Sequence, residues 1–153
     1  MDSQASSIVL THAEKLQLMP TVAQLIEISS KMRESGILSV ENDVYLQNDQ
    51  FLKLLHNLFC GGYNPDIFRR ICNNFLNSSR VNESNLEYSK KFIQAETLLL
   101  LHESGQPNYL LNFYCFSYFG FDFREDYKTN MRIHLPSPLY DEIFGGNVSG
   151  LWN

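Results

Sequence analysis

The chain has 153 residues, of which 44% are hydrophobic and 13% aromatic, enough to form one domain with a substantial core. Its formal net charge of −5 disfavours a phosphate-binding surface, and its basic pairs Arg69–Arg70 and Lys90–Lys91 are isolated rather than part of a stripe. Composition therefore predicts a single compact domain and argues against nucleic acid as a partner.

The first twenty residues, MDSQASSIVLTHAEKLQLMP, lack the basic start and the sustained apolar run of a secretory signal. We therefore expect a cytoplasmic protein. Residues 1–20 are predicted to form an N-terminal segment, for which a helix is one option.

A helix is predicted from near Thr21 to Gly36, because a glycine after a basic last turn commonly ends a helix. Its apolar face consists of Val22, Leu25, Ile28 and Met32. A short apolar patch follows, made of Ile37, Leu38 and Val40. Ser39 is a candidate cap for a second helix that carries Glu41 and Asp43.

The clearest helical pattern has apolar residues at spacings of three and four, at Phe51, Leu54, Leu55, Leu58 and Phe59. Gly61–Gly62 ends this helix, and Asn64 and Pro65 suit the start of the next. Apolar residues of that second helix recur at Ile67, Ile71 and Phe75. Because the loop is short, we predict an antiparallel hairpin that buries its facing stripes.

Residues 77–89, NSSRVNESNLEYS, are polar and are predicted to connect this hairpin to a long helix from about Asn85 to Ser104. The next stretch, from Gly105 to Phe121, is uncharged. It contains several polar residues and is shorter than a membrane span, so we predict a buried helix and no membrane crossing.

Residues 92–119 repeat the order of residues 51–76, which is a helix, a turn with glycine and a helix that starts near proline. Two such units are fewer than the three that a solenoid needs. A weak internal duplication and a chance similarity therefore both stay open.

After Phe119 the helical periodicity is lost. The remaining sequence, FDFREDYKTNMRIHLPSPLYDEIFGGNVSGLWN, mixes turn residues, a charged cluster and isolated aromatic residues. Residues 120–153 are therefore predicted to be an irregular C-terminal extension. The predicted fold class is mainly α, a single compact domain of packed helical hairpins with an irregular C-terminal tail.

The sequence supplies no recognisable catalytic or metal-binding set. The segment LHESGQ (101–106) begins like the zinc motif HExxH but has Gln106 in place of the second histidine. FREDYK (123–128) is interpreted as a solvated charge run. The four histidines are scattered, at His12, His56, His102 and His134, and His56 is predicted to be a satisfied core or edge residue. We predict a protein without enzymatic activity, cofactor or metal.

The cysteines, Cys60, Cys72 and Cys115, are odd in number and lie in apolar runs, which argues against disulfides and CxxC metal sites. They are predicted to be buried thiols. A Cys–His pair that meets in space stays open, but apolar surroundings would keep the thiol protonated.

Residues 25–75 resemble the cytoplasmic segment of the flagellar stator A subunits, the MotA family. The shared order is an aliphatic helix, a basic residue, glycine, two apolar residues, a small residue, an aliphatic residue and a glutamate, followed by Phe-Leu, an apolar helix, Gly, Pro and Arg. ETLLLLHESGQPNYLLNFYCFSYF (96–119) resembles the segment after the last membrane helix of that family, although its turn is one residue shorter. The resemblance covers residues 21–119, which it marks as a MotA-cytoplasmic-like helical domain.

The resemblance implies that Arg33 and Glu41 match the charged pair with which stator A subunits engage the rotor switch protein FliG. It also implies a partner-binding module at the flagellar motor, close to the inner membrane, that binds the switch complex or stator subunits. A homo-oligomer is compatible with this role. The family has four membrane helices, and residues 77–89 stand where the second pair is expected, so the module would not conduct ions.

Without the resemblance, charge alone favours a simpler interpretation of Arg33 and Glu41, a capped helix break with solvated charges. The hypothesis is a non-enzymatic interaction protein of the flagellar motor. The alternative is a generic helical-hairpin adaptor unrelated to motility, and an enzyme is the third class.

Overall fold

The computed structural model describes residues 8–153, whose regular secondary structure is all helical. The α-helices are α1 (His12–Ser35), α2 (Val44–Asn48), α3 (Gln50–Cys60), α4 (Pro65–Asn82), α5 (Asn85–Ser104), α6 (Asn108–Ser117), α7 (Arg124–His134) and α8 (Ser137–Phe144). Three 3₁₀ segments cover Ile37–Val40, Phe121–Phe123 and Gly146–Trp152. The prediction of a mainly α, single-domain fold is confirmed.

Helix α5 lies at the centre of the fold and packs against α1, α3, α4 and α6. Its bounds, Asn85–Ser104, are those predicted from the sequence. None of residues 88–102 is exposed, so this helix is covered on every side. None of the helices formed by residues 8–153 combines the length and the apolar character needed to cross a membrane.

Helix α1 begins at His12, well before the predicted start near Thr21. Its start is fixed by a capping box, in which Thr11 Oγ1 accepts from the Glu14 amide at 3.2 Å and Glu14 Oε1 accepts from the Thr11 amide at 2.9 Å. Pro20 lies inside the helix without ending it, because the burial of the residues around it outweighs one missing hydrogen bond. Helix α1 therefore runs through the predicted boundary at residue 20, and residues 1–7 lie outside the described part of the chain.

Helices α3 and α4 were predicted to bury their stripes against each other, but each packs mainly on α5. The predicted start of α4 is confirmed, since Asn64 Oδ1 accepts from the Ile67 amide at 2.9 Å. The predicted stripe is wrong, because Ile67 and Phe75 are exposed. The buried face lies one residue further along, at Phe68, Cys72, Leu76 and Ser79. Across the hairpin, Phe51 and Phe75 touch edge to face at a centroid distance of 6.4 Å.

The predicted polar connector does not exist as a loop, because α4 continues through Asn82. Only Glu83 and Ser84 separate α4 from α5, and Ser84 Oγ accepts from the Glu87 amide to cap α5. Arg80 covers the Tyr88 ring at 4.8 Å and donates to its hydroxyl at 2.9 Å. This contact between the two helices explains how so polar a stretch stays helical.

The prediction of an irregular tail over residues 120–153 is also wrong, since α7 packs on α1 and α8 packs on α6. Trp152, which is 2% exposed, anchors this segment in an aromatic cluster. Its ring centroid lies between 4.5 and 5.8 Å from those of Phe113, Phe116, Tyr127 and Phe144. The buried Tyr127 hydroxyl donates to Asn112 Oδ1 at 2.8 Å.

Asp49 ties α3 to the central helix. Its Oδ1 accepts from the Leu52 amide at 3.0 Å, which caps α3, and its Oδ2 accepts from Gln94 Nε2 at 2.8 Å and lies 3.5 Å from Lys90 Nζ. Burial raises the pKa of Asp49, but the hydrogen bonds and Lys90 outweigh it, so the pKa lies below its usual value.

We expect Trp152→Ala to lower the free energy of unfolding by about 3–5 kcal/mol, because it leaves a cavity in the aromatic cluster. Leu151→Ala changes the neighbouring exposed side chain and should stay within about 0.5 kcal/mol of wild type. Urea unfolding followed by far-ultraviolet circular dichroism measures both, since Trp152 is the single tryptophan. Equal stability of the two variants would contradict the anchored C-terminal segment.

A second prediction concerns acid stability. Because the pKa of Asp49 is lower in the folded chain, its contribution is present above the unfolded value of about 3.9 and is lost as the pH falls through the folded pKa. Asp49→Asn keeps the α3 cap but should lose stability less steeply than wild type below about pH 4. Asp49→Ala should lose about 1 kcal/mol more than Asp49→Asn, because it also removes the cap. Urea midpoints across this pH range test both, and identical acid slopes for wild type and Asp49→Asn would contradict the assignment.

Candidate functional site

The segment between α1 and α2, residues 36–43, forms a tight turn that we call the α1–α2 turn. Gly36 ends α1 with φ at 95°, a backbone conformation that favours glycine. Ser39 Oγ donates to the carbonyl oxygens of Gly36 at 2.6 Å and Lys31 at 3.1 Å. The predicted cap at Ser39 is therefore wrong, because its hydroxyl closes the turn, and α2 is capped by Asp43 Oδ1, which accepts from the Tyr45 amide.

The α1–α2 turn and the start of α2 carry a run of exposed apolar side chains, which we call the apolar patch. Its members are Ile37, Leu38, Val44 and Tyr45. Leu38 is 65% exposed and Val44 68%. Exposed apolar residues that lie so close together in the sequence indicate an interaction surface more strongly than single exposed residues do.

Arg33 precedes this patch in the chain, Glu41 lies between its two halves, and both residues are exposed. Arg33 lines a small cavity of about 120 Å³ with Ile37 and Phe59. Glu41 lines a different cavity of about 300 Å³, which also includes His56. The structure thus places both residues on the surface of one region, in separate depressions.

The charges around the turn differ in their pairing. Lys31 and Asp43 form an ion pair, with Lys31 Nζ 3.2 Å from Asp43 Oδ2. Within residues 8–153, neither Arg33 nor Glu41 has an ion-pair partner. Lys31 and Asp43 therefore satisfy each other, whereas Arg33 and Glu41 are free to meet opposite charges on another molecule; Glu34, on the last turn of α1, also has no ion-pair partner among the described residues.

Asn108 forms a hydrogen bond with Arg33, a contact that sequence reasoning missed. Its Oδ1 accepts from Arg33 Nη1 at 3.3 Å, while its Nδ2 donates to Ser30 Oγ at 3.0 Å and to Glu142 Oε2 at 2.6 Å. Asn108 is 2% exposed, so it joins α1, α6 and α8 inside the fold. The Arg33 side chain is consequently positioned by the core although its charge faces solvent.

His56 and Cys60 form the Cys–His pair that the sequence left open. His56 is 4% exposed and its Nε2 lies 2.8 Å from the Ile37 carbonyl oxygen, so that nitrogen carries the proton and donates. The prediction of a satisfied core histidine is confirmed. Cys60 Sγ lies 3.5 Å from this same Nε2 and 3.9 Å from Nδ1. Because His56 and Cys60 are four residues apart on α3, the sequence could have predicted that they lie on the same face of the helix.

The prediction that all three thiols are buried is wrong for Cys60, which is exposed at the end of α3. Burial of its sulfur raises the pKa of Cys60, and the negative charge of Glu41 raises it further. The thiol therefore stays protonated at neutral pH, which makes it a poor nucleophile. Cys72 and Cys115 are buried as predicted, and burial raises the pKa of each to about 12.

Two further observations concern possible ligand and metal sites. A cavity of about 430 Å³ lies between α4, α5 and α6 and is lined in part by Glu96 and Tyr114. Within residues 8–153, no three His, Cys, Asp or Glu side chains are grouped so that they could hold a metal ion.

Comparisons of the chain with models of protein families, with curated proteins and with solved structures gave no match. The interpretation of the site therefore depends on its own geometry.

The three thiols should differ in reactivity. We expect a thiol reagent to label the native protein only at Cys60, and more slowly than free cysteine, because burial and Glu41 raise the pKa of that thiol. Cys60→Ser should abolish native labelling, and Glu41→Gln should accelerate it because it removes a negative charge. Mass spectrometry after timed labelling measures the rates. Rapid native labelling of Cys72 or Cys115 would contradict their buried positions.

Proposed function

We propose that the chain is a non-enzymatic interaction protein of the flagellar motor that docks through the apolar patch together with Arg33 and Glu41. One observation supports this most strongly. Lys31 and Asp43 satisfy each other at 3.2 Å, whereas Arg33 and Glu41, beside the same exposed apolar residues, have no ion-pair partner within residues 8–153.

The two kinds of side chain have different tasks in such a surface. Docking would remove the exposed apolar side chains of Leu38 and Val44 from water, and this burial supplies affinity. Arg33 and Glu41 lie at the rim, where opposite charges on a partner chiefly set the rate of encounter and the register. Because solvent and salt screen rim charges, such contacts are reversible.

The resemblance to the stator A subunits suggests the partner. In that family the residues that match Arg33 and Glu41 engage the rotor switch protein FliG, so we propose FliG or the stator subunits as partners. The proposed location is the cytoplasmic side of the motor, peripheral to the inner membrane. α4 and α5 meet through a two-residue loop where the family has its second membrane pair, which supports a module that binds without conducting ions.

A generic helical adaptor unrelated to motility is the second candidate. The apolar patch supports it equally well, since exposed Leu38 and Tyr45 would serve any partner with a complementary surface. The protonated thiol of Cys60 beside His56 supports a non-enzymatic role in either case.

We expect Arg33→Glu and Glu41→Lys each to weaken binding to FliG about fivefold or more, since each replaces an attraction with a repulsion. The loss should shrink as ionic strength rises, and a compensating charge reversal on FliG should restore part of the affinity. Calorimetry on the purified proteins measures the dissociation constants, and thermal melting of each variant separates binding from folding.

Two variants change net charge equally at exposed positions on other helices, Arg70→Glu on α4 and Glu125→Lys on α7. They should bind FliG as wild type does. If they weaken binding as much as Arg33→Glu and Glu41→Lys, the docking surface is wrong. If the wild-type protein binds neither FliG nor stator subunits, the motor assignment is wrong and the adaptor hypothesis replaces it.

A further inference from the structure

The cavity of about 430 Å³ between α4, α5 and α6 plays no part in the proposed docking. Its lining comes from all three helices and consists of Arg69, Glu96, Leu99, Leu100, Glu103, Tyr114 and Tyr118. A volume of this size falls in the range of small-molecule sites. Most of the exposed surface of its lining is polar, and charged and tyrosine side chains from the three helices supply the polar atoms.

Two tyrosine hydroxyls form a chain of hydrogen bonds that ends on Glu96. Tyr118 donates to the Tyr114 hydroxyl at 2.9 Å, and Tyr114 donates to Glu96 Oε2 at 3.0 Å. Burial raises the pKa of Tyr114 to about 12 and raises that of Tyr118 as well, so both hydroxyls keep the protons that they donate. The aligned O–H groups therefore stabilise a negative charge on Glu96.

No cation compensates this charge. Arg69, the positive residue of the cavity, is paired with Glu103. Among residues 8–153, no Lys, Arg or His side chain lies within ion-pair distance of Glu96. The second oxygen, Oε1, accepts no hydrogen bond from the described residues, and the side chain is only partly exposed. A half-buried carboxylate that has no cation beside it favours a cationic ligand.

The rest of the lining suits the body of such a ligand. The half-buried side chain of Leu100 offers apolar surface to an aliphatic chain. The rings of Tyr114 and Tyr118 stand edge to face at a centroid distance of 5.4 Å, and a tyrosine ring face attracts a cation. We propose that this cavity, which we call the Glu96 cavity, binds an aliphatic ammonium group, supplied either by a small free amine or by a lysine side chain.

Amide NMR spectra of the isotopically labelled full chain test this inference. Titration with diaminopentane should shift the amide signals of Leu99, Leu100 and Tyr114, whereas pentanediol, its uncharged counterpart, should leave them unchanged. Nα-acetyl-lysine methylamide represents a lysine side chain. Tighter binding of this compound than of diaminopentane would identify a protein lysine as the source of the ammonium group.

Glu96→Gln keeps an acceptor for Tyr114 and removes the charge, so it should weaken diaminopentane binding by about tenfold or more. Tyr118→Phe removes the far end of the hydrogen-bond chain and should weaken binding less. Glu125→Gln removes an exposed charge on α7 and should have no effect. The spectrum of each free variant shows whether its fold is intact.

Three results would overturn the inference. They are no localised shift with diaminopentane on the wild-type protein, equal shifts with pentanediol, or unchanged diaminopentane affinity in a folded Glu96→Gln variant. Because Arg33 and Glu41 do not line this cavity, none of these results affects the proposed docking.

Discussion

The burial of α5 on every side is the constraint on which the rest of the structure depends. None of its residues from 88 to 102 is exposed, so most polar side chains there are placed against other elements, although the Ser89 hydroxyl and Gln94 Oε1 have no hydrogen-bond partner among the described residues. Asp49, which caps α3, accepts a hydrogen bond from Gln94 and forms an ion pair with Lys90, and Glu83 forms an ion pair with Lys91 at 2.5 Å. These contacts, together with the apolar core, set where the surrounding helices lie. Glu96 differs from Lys90 and Lys91 because it has no partner of opposite charge among the described residues and accepts a hydrogen bond from the Tyr114 hydroxyl instead.

The same constraint explains why the predicted hairpin does not pack on itself. Helix α4 carries two neighbouring apolar stripes, one through Ile67 and Phe75 and one through Phe68 and Leu76. Only one of them can face the core. The central helix offers a long apolar surface, and α4 turns the stripe of Phe68 toward it, which leaves Phe75 to meet the edge of Phe51. Local periodicity identifies a helix, but the neighbour that covers it decides which face is buried.

Sequence reasoning succeeded where the information is local. The bounds of α5 and the cap at Asn64 follow from residues within one turn of each helix end. It failed for the tail, because α7 and α8 are short and are stabilised by an aromatic cluster around Trp152 that no local pattern shows. The candidate site likewise contains one contact that is local in the sequence and one that is not. His56 and Cys60 are four residues apart on α3, whereas the contact of Arg33 with Asn108 joins residues 75 positions apart and depends on the whole fold.

That long-range contact gives the charges of Arg33 and Glu41, which we propose for docking, different properties. Asn108 orients its amide by donating to Ser30 and Glu142, so its oxygen is held in place to accept from Arg33. The guanidinium is thereby positioned before any partner arrives, and a side chain that is already ordered loses less entropy on binding. Glu41 has no such support, since Gln47 contacts only its backbone oxygen. In a docked complex Arg33 would therefore set the register, and Glu41 would adapt to the charge that it meets.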